Sequence, residues 1–244
     1  MTSRQPSTNR LSGTRPVLLA RAAGAFYLLT ILTGAVAQGF IAEKLIAAND
    51  AAATANNILT HKALFQAGFT IYLVEMTCQF IATVLFYELL KPVSKTLSLT
   101  AAVLGLAGCA IKTVSRLFYL APLLILEGPQ YLDVFNVQQR QALALLLLDV
   151  NDHGAGIALA FFGFGALLKG YLILRSTFLP RILGVLAIPA GLALLTFLSP
   201  TLGYKVFSYV ALLGMIGAIP QIVWLLVFGV NEQRWNEQAR SVSS

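Results

Sequence analysis

The chain has 244 residues, of which 57% are hydrophobic and only 11% are charged, against roughly a quarter charged in soluble domains. So few polar side chains cannot coat a water-facing surface, which excludes an ordinary soluble enzyme and points to lipid as the solvent. The formal net charge of +7 raises nucleic acid as a partner, but its placement along the chain removes that class.

Six apolar stretches follow one another, each near or above the ~20 residues that cross a bilayer core. They lie at approximately residues 17–42, 63–90, 97–126, 142–168, 182–199 and 206–230. The third and fourth are longer than a crossing requires, so tilt or extension beyond the membrane is expected. The predicted fold is all-α: a polytopic integral membrane protein, one six-transmembrane-helix bundle with both termini cytoplasmic. The transmembrane domain occupies residues 17–230, between a cytoplasmic tail at 1–16 and a second at 231–244.

In chain order, residues 1–16 are rich in Ser, Thr, Arg and Pro and read as a disordered tail. "AAGAFYLLTILTGAVA" after Arg21 has signal-peptide character, with Ala35-Val36-Ala37 as a small-residue cleavage site. Apolar sequence continues through Phe40 and Ile41, so a retained first helix is expected. The next connection, "EKLIAANDAAATANNILTHK", is the longest; Asn49 or Asp50 can cap a short helix over the external mouth of the bundle. Pro92 in "LLKPVSKTL" ends the second helix, because its ring cannot continue one. In "RSTFLPR", Pro180 opens the fifth, while Pro189 and Pro220 fall inside helices five and six and predict kinks. Trp235, in the polar "NEQRWNEQARSVSS", reads as an interfacial anchor. Cys78 and Cys109 sit inside helices without any CxxC pattern and read as packing residues. Small residues recur at helix-packing spacing, as in Gly156, Ala160 and Gly163.

Basic residues alternate by side. Arg4, Arg10, Arg15, Arg21, Lys91, Lys95, Lys169, Arg175, Arg181, Arg234 and Arg240 fall on one, against Lys44, Lys62, Arg140 and Lys205 on the other. Eleven against four is the positive-inside pattern. Membrane orientation thus accounts for the charge, and no nucleic-acid partner is expected.

Three helices carry ionisable groups at apparent membrane depth, each costing ~2.5–3.5 kcal/mol or more at the bilayer centre. Counted from the external helix ends at ~1.5 Å per residue, Glu75 lies about 18 Å deep, Arg116 about 15, Lys112 about 21 and Asp149 to His153 about 10–17. Spacings of three and four residues place Tyr72 and Glu75 on one face of helix two, and Lys112, Arg116 and Tyr119 on one face of helix three. On helix four the stripe reads Asp149, Asp152, His153 and Gly156. An ion-paired cluster is expected where the three faces meet, with Lys112 and Arg116 between helices two and four, since buried charges persist when paired.

Two uses of the cluster stay open. In one, it lines a pocket open to the exterior, where Glu75, Lys112, Arg116, Tyr119, Asp149, Asp152 and His153 bind or transport a small polar or ionic solute. In the other, it locks three helices in register within a non-catalytic structural or regulatory membrane subunit. A catalytic zinc needs three protein ligands and an open position, and only one histidine lies within the bundle; no metal and no cofactor is expected. GxSxG, HExxH and phosphate-cradling glycine loops do not occur, and Ser115 between Lys112 and Arg116 reads as packing, so no catalytic residue is assigned. The partners expected are the lipid bilayer and a small solute, with a protein partner or homo-oligomer left open.

Several stretches carry a family likeness. "RAAGAFYLLTILTG", "ATANNILTHKALFQAGF", "FYELLKPVSKTLSL" and, most specifically, "HGAGIALAFFGFGALLKGYLILRSTFLPRILGVL" resemble bacterial membrane proteins grouped only as a domain of unknown function. The resemblance covers most of residues 17–230. It implies a multi-pass protein of the bacterial cytoplasmic membrane with a retained first helix, and it implies no activity.

Overall fold

The computed structural model describes residues 16–241, so the tail expected at 1–16 lies, Pro16 apart, outside the described residues. Among these residues there are helices and no strands, and six of the helices are long and apolar enough to span a membrane. The spans are α1 (Pro16–Leu45), α3 (Lys62–Leu90), α4 (Lys95–Glu127), α5 (Val137–Arg175), α6 (Arg181–Leu198) and α8 (Phe207–Val227). Shorter α-helices accompany them: α2 (Ala51–Thr60) and α7 (Pro200–Lys205) between spans, and α9 (Glu232–Ser241) after the last. The chain is a multi-pass membrane protein, and an even number of spans brings the start of α1 and the end of α8 to one side.

Local chemistry sets the boundaries. Asp50, one of the two caps anticipated, accepts from the Ala53 amide at 2.8 Å and starts α2. Beyond Pro92, Ser94 caps α4 by accepting from the Leu97 amide at 3.4 Å. Asn136 and Gln139 form a reciprocal capping box at the start of α5, both bonds 2.9 Å. Gly128 and Gly229, at φ of 53° and 68°, close α4 and α8 in a left-handed conformation that side chains disfavour. Pro189 and Pro220 fall inside α6 and α8 as expected, and Pro122 is a third internal proline, in α4. Near its end α1 widens into a π-helical stretch, Val36–Ala42, and passes through the small-residue triplet without a break.

Antiparallel neighbours approach closely at small residues, which is how helices associate where lipid removes any hydrophobic drive. A Cβ at Gly184 of α6 would lie 2.7 Å from the Gly170 carbonyl of α5, and one at Gly217 of α8 would lie 2.7 Å from Ala190 of α6. The ends of α3 and α4 are matched by the Lys62–Glu127 ion pair at 2.8 Å and, at the basic end, by Ser98 donating to the Tyr87 carbonyl at 3.0 Å.

Helix α6 is the ruler of the bundle. Its 18 residues make about 27 Å, close to the ~30 Å hydrocarbon thickness. It starts near Leu174 of α5, where Gly184 packs, and ends where Phe197 reaches Gly156. The 39 residues of α5 make about 58 Å, so its first half extends past the end of α6, together with the adjoining parts of α3 and α4. Over this projection lies α2, whose Ile58 joins Phe65, Tyr119, Leu123 and Leu148 in one apolar cluster.

At the basic end, Glu232–Ser241 of the polar C-terminal segment forms α9. Trp235 is buried, and its indole N–H donates to the Leu89 carbonyl at 2.9 Å, so it anchors α9 to the end of α3. Gln238 accepts from the Thr177 amide at 3.0 Å, tying α9 to the turn before α6.

Candidate functional site

Glu75 and Lys112 meet as expected. Their ion pair is 2.6 Å long with side-chain exposures of 7% and 15%, and the missing side chain of Gly34 lets α1 pass over it; a Cβ there would lie 3.0 Å from Glu75 Oε1. Arg116 is buried too, but it pairs with no carboxylate. One guanidinium nitrogen donates to Asn151 Oδ1 at 3.0 Å, and its central carbon lies 3.5 Å above the Tyr72 ring. Asn151 Nδ2 then donates to Asp152 Oδ1 at 2.9 Å. Tyr72 donates to Gln38 Oε1 at 2.7 Å, and Tyr119 stacks on Phe65 with centroids 4.5 Å apart. Glu75 Oε2, Arg116 Nε and the Tyr119 hydroxyl make no hydrogen bond within the described protein.

The expected stripe on α5 needs correction by rotation. Asp149 and His153 are exposed, Asp152 is half-buried and Asn151 is buried. At 3.6 residues per turn, residues two apart differ by about 200°, so turning Asn151 inward turns Asp149 and His153 away. His153 contacts its own helix, Nδ1 lying 2.8 Å from the Asp149 carbonyl oxygen. Asn151 was missed because the charged residues were taken to define the inner face; the run Ala144, Leu148, Asn151 and Ala158, all buried, marks it instead. Tyr204 of α7 donates to the Asp152 carbonyl, so the cluster lies level with the turn that follows α6. Burial, and then the nearby Asp152 carboxylate, push the Tyr204 phenol up to about 12, which keeps it a neutral donor.

Below the cluster, toward the basic end, the bundle holds a cavity of about 350 Å³. Every span contributes to its wall: Tyr27, Gln79, Gly105, Lys169, Leu194 and Gly214 come from α1, α3, α4, α5, α6 and α8 in turn. From Leu159 to Lys169 along α5 it extends about 15 Å. Lys169, counted on sequence among the loop cations, turns inward. Its Nζ lies 4.5 Å from the Phe86 ring centre and 4.7 Å from that of Tyr27. Among the described residues, which include all ten acidic side chains, no carboxylate ion-pairs with it. Nor do three His, Cys, Asp or Glu side chains converge there as a metal-holding group.

Neither curated proteins nor solved structures provide a match to the chain. A family model does, over residues 22–229, from α1 to the turn after α8. The likeness carried by the stretch that begins at His153 is thereby borne out: the chain belongs to the family described as Domain of unknown function (DUF4386).

Proposed function

We propose that this protein is a non-catalytic binding protein of the bacterial cytoplasmic membrane. Its outer cluster locks α3, α4 and α5, and its inner cavity takes an apolar or amphipathic molecule. The positive-inside pattern puts the basic end, with both termini, in the cytoplasm. One contrast carries the reading. The cations of the cluster already have partners, Glu75 for Lys112 and Asn151 with Tyr72 for Arg116, whereas Lys169 faces open volume with only ring faces beside it. Cavities of a few hundred Å³ with mostly apolar walls and a few convergent polar groups are the usual form of small-molecule sites.

The test uses photoactivatable myristate and the matching alcohol with protein reconstituted in phosphatidylcholine nanodiscs. Gly214 lines the cavity, and a Cβ built there meets nothing within 4 Å, so Gly214→Leu fills the space without a clash. Wild-type protein should be labelled on cavity-lining peptides of α1, α3 and α8, and the variant should lose that labelling while staying folded. Equal labelling of both by each probe would mean contact with outer surfaces only and would overturn the reading.

A second reading keeps the cluster as a site for a small polar solute from outside. It is favoured by three buried polar atoms, Glu75 Oε2, Arg116 Nε and Tyr119 OH, that find no partner in one small region, because buried polar groups are ordinarily satisfied. It requires Asn151→Leu to abolish solute binding in protein that remains folded.

A further inference from the structure

We infer that the occupant of the inner cavity is a single-chain amphiphile with an anionic head. The head sits on Lys169, the chain lies along the cavity toward Gln79, and the molecule enters sideways from the bilayer past α8. This rests on the binding reading above and adds to it the charge, the orientation and the route.

Charge comes first. Lys169 is the one charged side chain among the cavity-lining residues. A cation facing apolar walls is disfavoured, and two aromatic faces offset part of that while fixing the ammonium in place. A carboxylate or phosphate monoester head completes the neutralisation that no protein carboxylate supplies. Lysines near helix ends normally snorkel toward headgroups; Lys169 turns the other way, its ammonium held between rings from α1 and α3.

Level and shape agree with the charge. Lys169 lies six residues before Arg175, about 9 Å from the basic end of α5, which is the depth of a lipid head just inside the interface. From there the cavity runs parallel to the spans toward the bilayer middle, past Gly214, where a Cβ would meet nothing within 4 Å. About 350 Å³ suits one acyl chain and is too little for two. The far end stops at Gln79, one helical turn short of Glu75.

The route follows from α8. Ala211 and Met215 line the cavity and are exposed, and a Cβ at Gly214 between them would meet nothing within 4 Å. A chain already dissolved in the bilayer can slide between these small or flexible side chains without crossing water.

The experiment compares wild type, Lys169→Met and Lys169→Arg in phosphatidylcholine nanodiscs. Three photoactivatable probes of equal chain length are used: myristate, the phosphate monoester and the neutral alcohol. Both acids, or one of them, should label the cavity peptides in wild type and Lys169→Arg, and at least about tenfold less in Lys169→Met, as loss of one partner of a buried charge pair implies. Which acid labels identifies the head as carboxylate or phosphate. The alcohol should label all three proteins equally and weakly, which shows that Lys169→Met keeps the cavity intact. If the alcohol labels as strongly as the acids and Lys169→Met changes nothing, the anionic head is refuted while the binding reading survives. If no probe labels the cavity in any protein, both fall.

Discussion

Replacing Lys112 by Met tests the lock directly. In the native bundle Glu75 Oε1 receives the lysine at 2.6 Å, while Oε2 has no partner in the protein. Lys112→Met keeps the aliphatic stem and removes the charge, leaving a carboxylate of 5% exposure with neither oxygen paired. Breaking a buried ion pair from one side costs about 3–5 kcal/mol. At roughly 2–4 °C per kcal/mol for a chain of this size, the midpoint should fall by about 6–20 °C. Adding Glu75→Gln removes the stranded charge, so the double variant should recover to within about 2 kcal/mol of wild type, because well-packed neutral replacements of a buried pair are often nearly neutral. Thermal unfolding in mild detergent, followed by the fraction that remains monodisperse, gives all the midpoints. The lock is refuted if Lys112→Met melts within about 2 °C of wild type. It is equally refuted if the double variant is no more stable than the single one.

Asn151→Leu strands the Arg116 guanidinium and should cost about 1.5–3 kcal/mol, the range for hydrogen bonds to charged groups. Asp149→Asn and His153→Asn should each stay within about 0.5 kcal/mol, as exposed positions do; the reverse ranking in the same melts would show that α5 is rotated otherwise. Gly184→Val places a Cβ 2.7 Å from the Gly170 carbonyl and should cost about 1–3 kcal/mol or more through overpacking of α5 on α6. A midpoint equal to wild type would contradict that close approach. Trp235→Phe removes the donor to the Leu89 carbonyl and should loosen α9 by about 1–3 kcal/mol, read as faster proteolysis between Val230 and Trp235. An unchanged cleavage rate would mean that the bond does not hold the helix.

Part of the site is legible in the sequence. Glu75, Lys112, Arg116 and Tyr119 were placed together because each is a polar residue on an otherwise apolar helix, and spacing by three and four identifies a face without reference to neighbours. The same logic failed on α5, where Asp149, Asn151, Asp152 and His153 crowd five consecutive positions and surround the helix. Among them only packing chooses, and it chose the neutral Asn151 to meet Arg116, 35 residues away in sequence. Lys169 was sorted by distance from a helix end, a measure that is the same whether a lysine reaches outward to headgroups or inward to Tyr27 and Phe86.

Sequence alone determined the solvent, the six crossings, the alternation of basic connections and the identity of the ionisable residues. Those follow from hydropathy, charge and helical period, all of which are local along the chain. The tertiary structure decided the rotation of α5, the level of the cluster relative to the end of α6 and the existence of a cavity with an inward lysine. Rotation by one residue is about 100°, and level depends on where α6 ends against Gly156. Both are set by contacts between segments distant in sequence, where side-chain volume and close backbone approach select one arrangement of the same six helices.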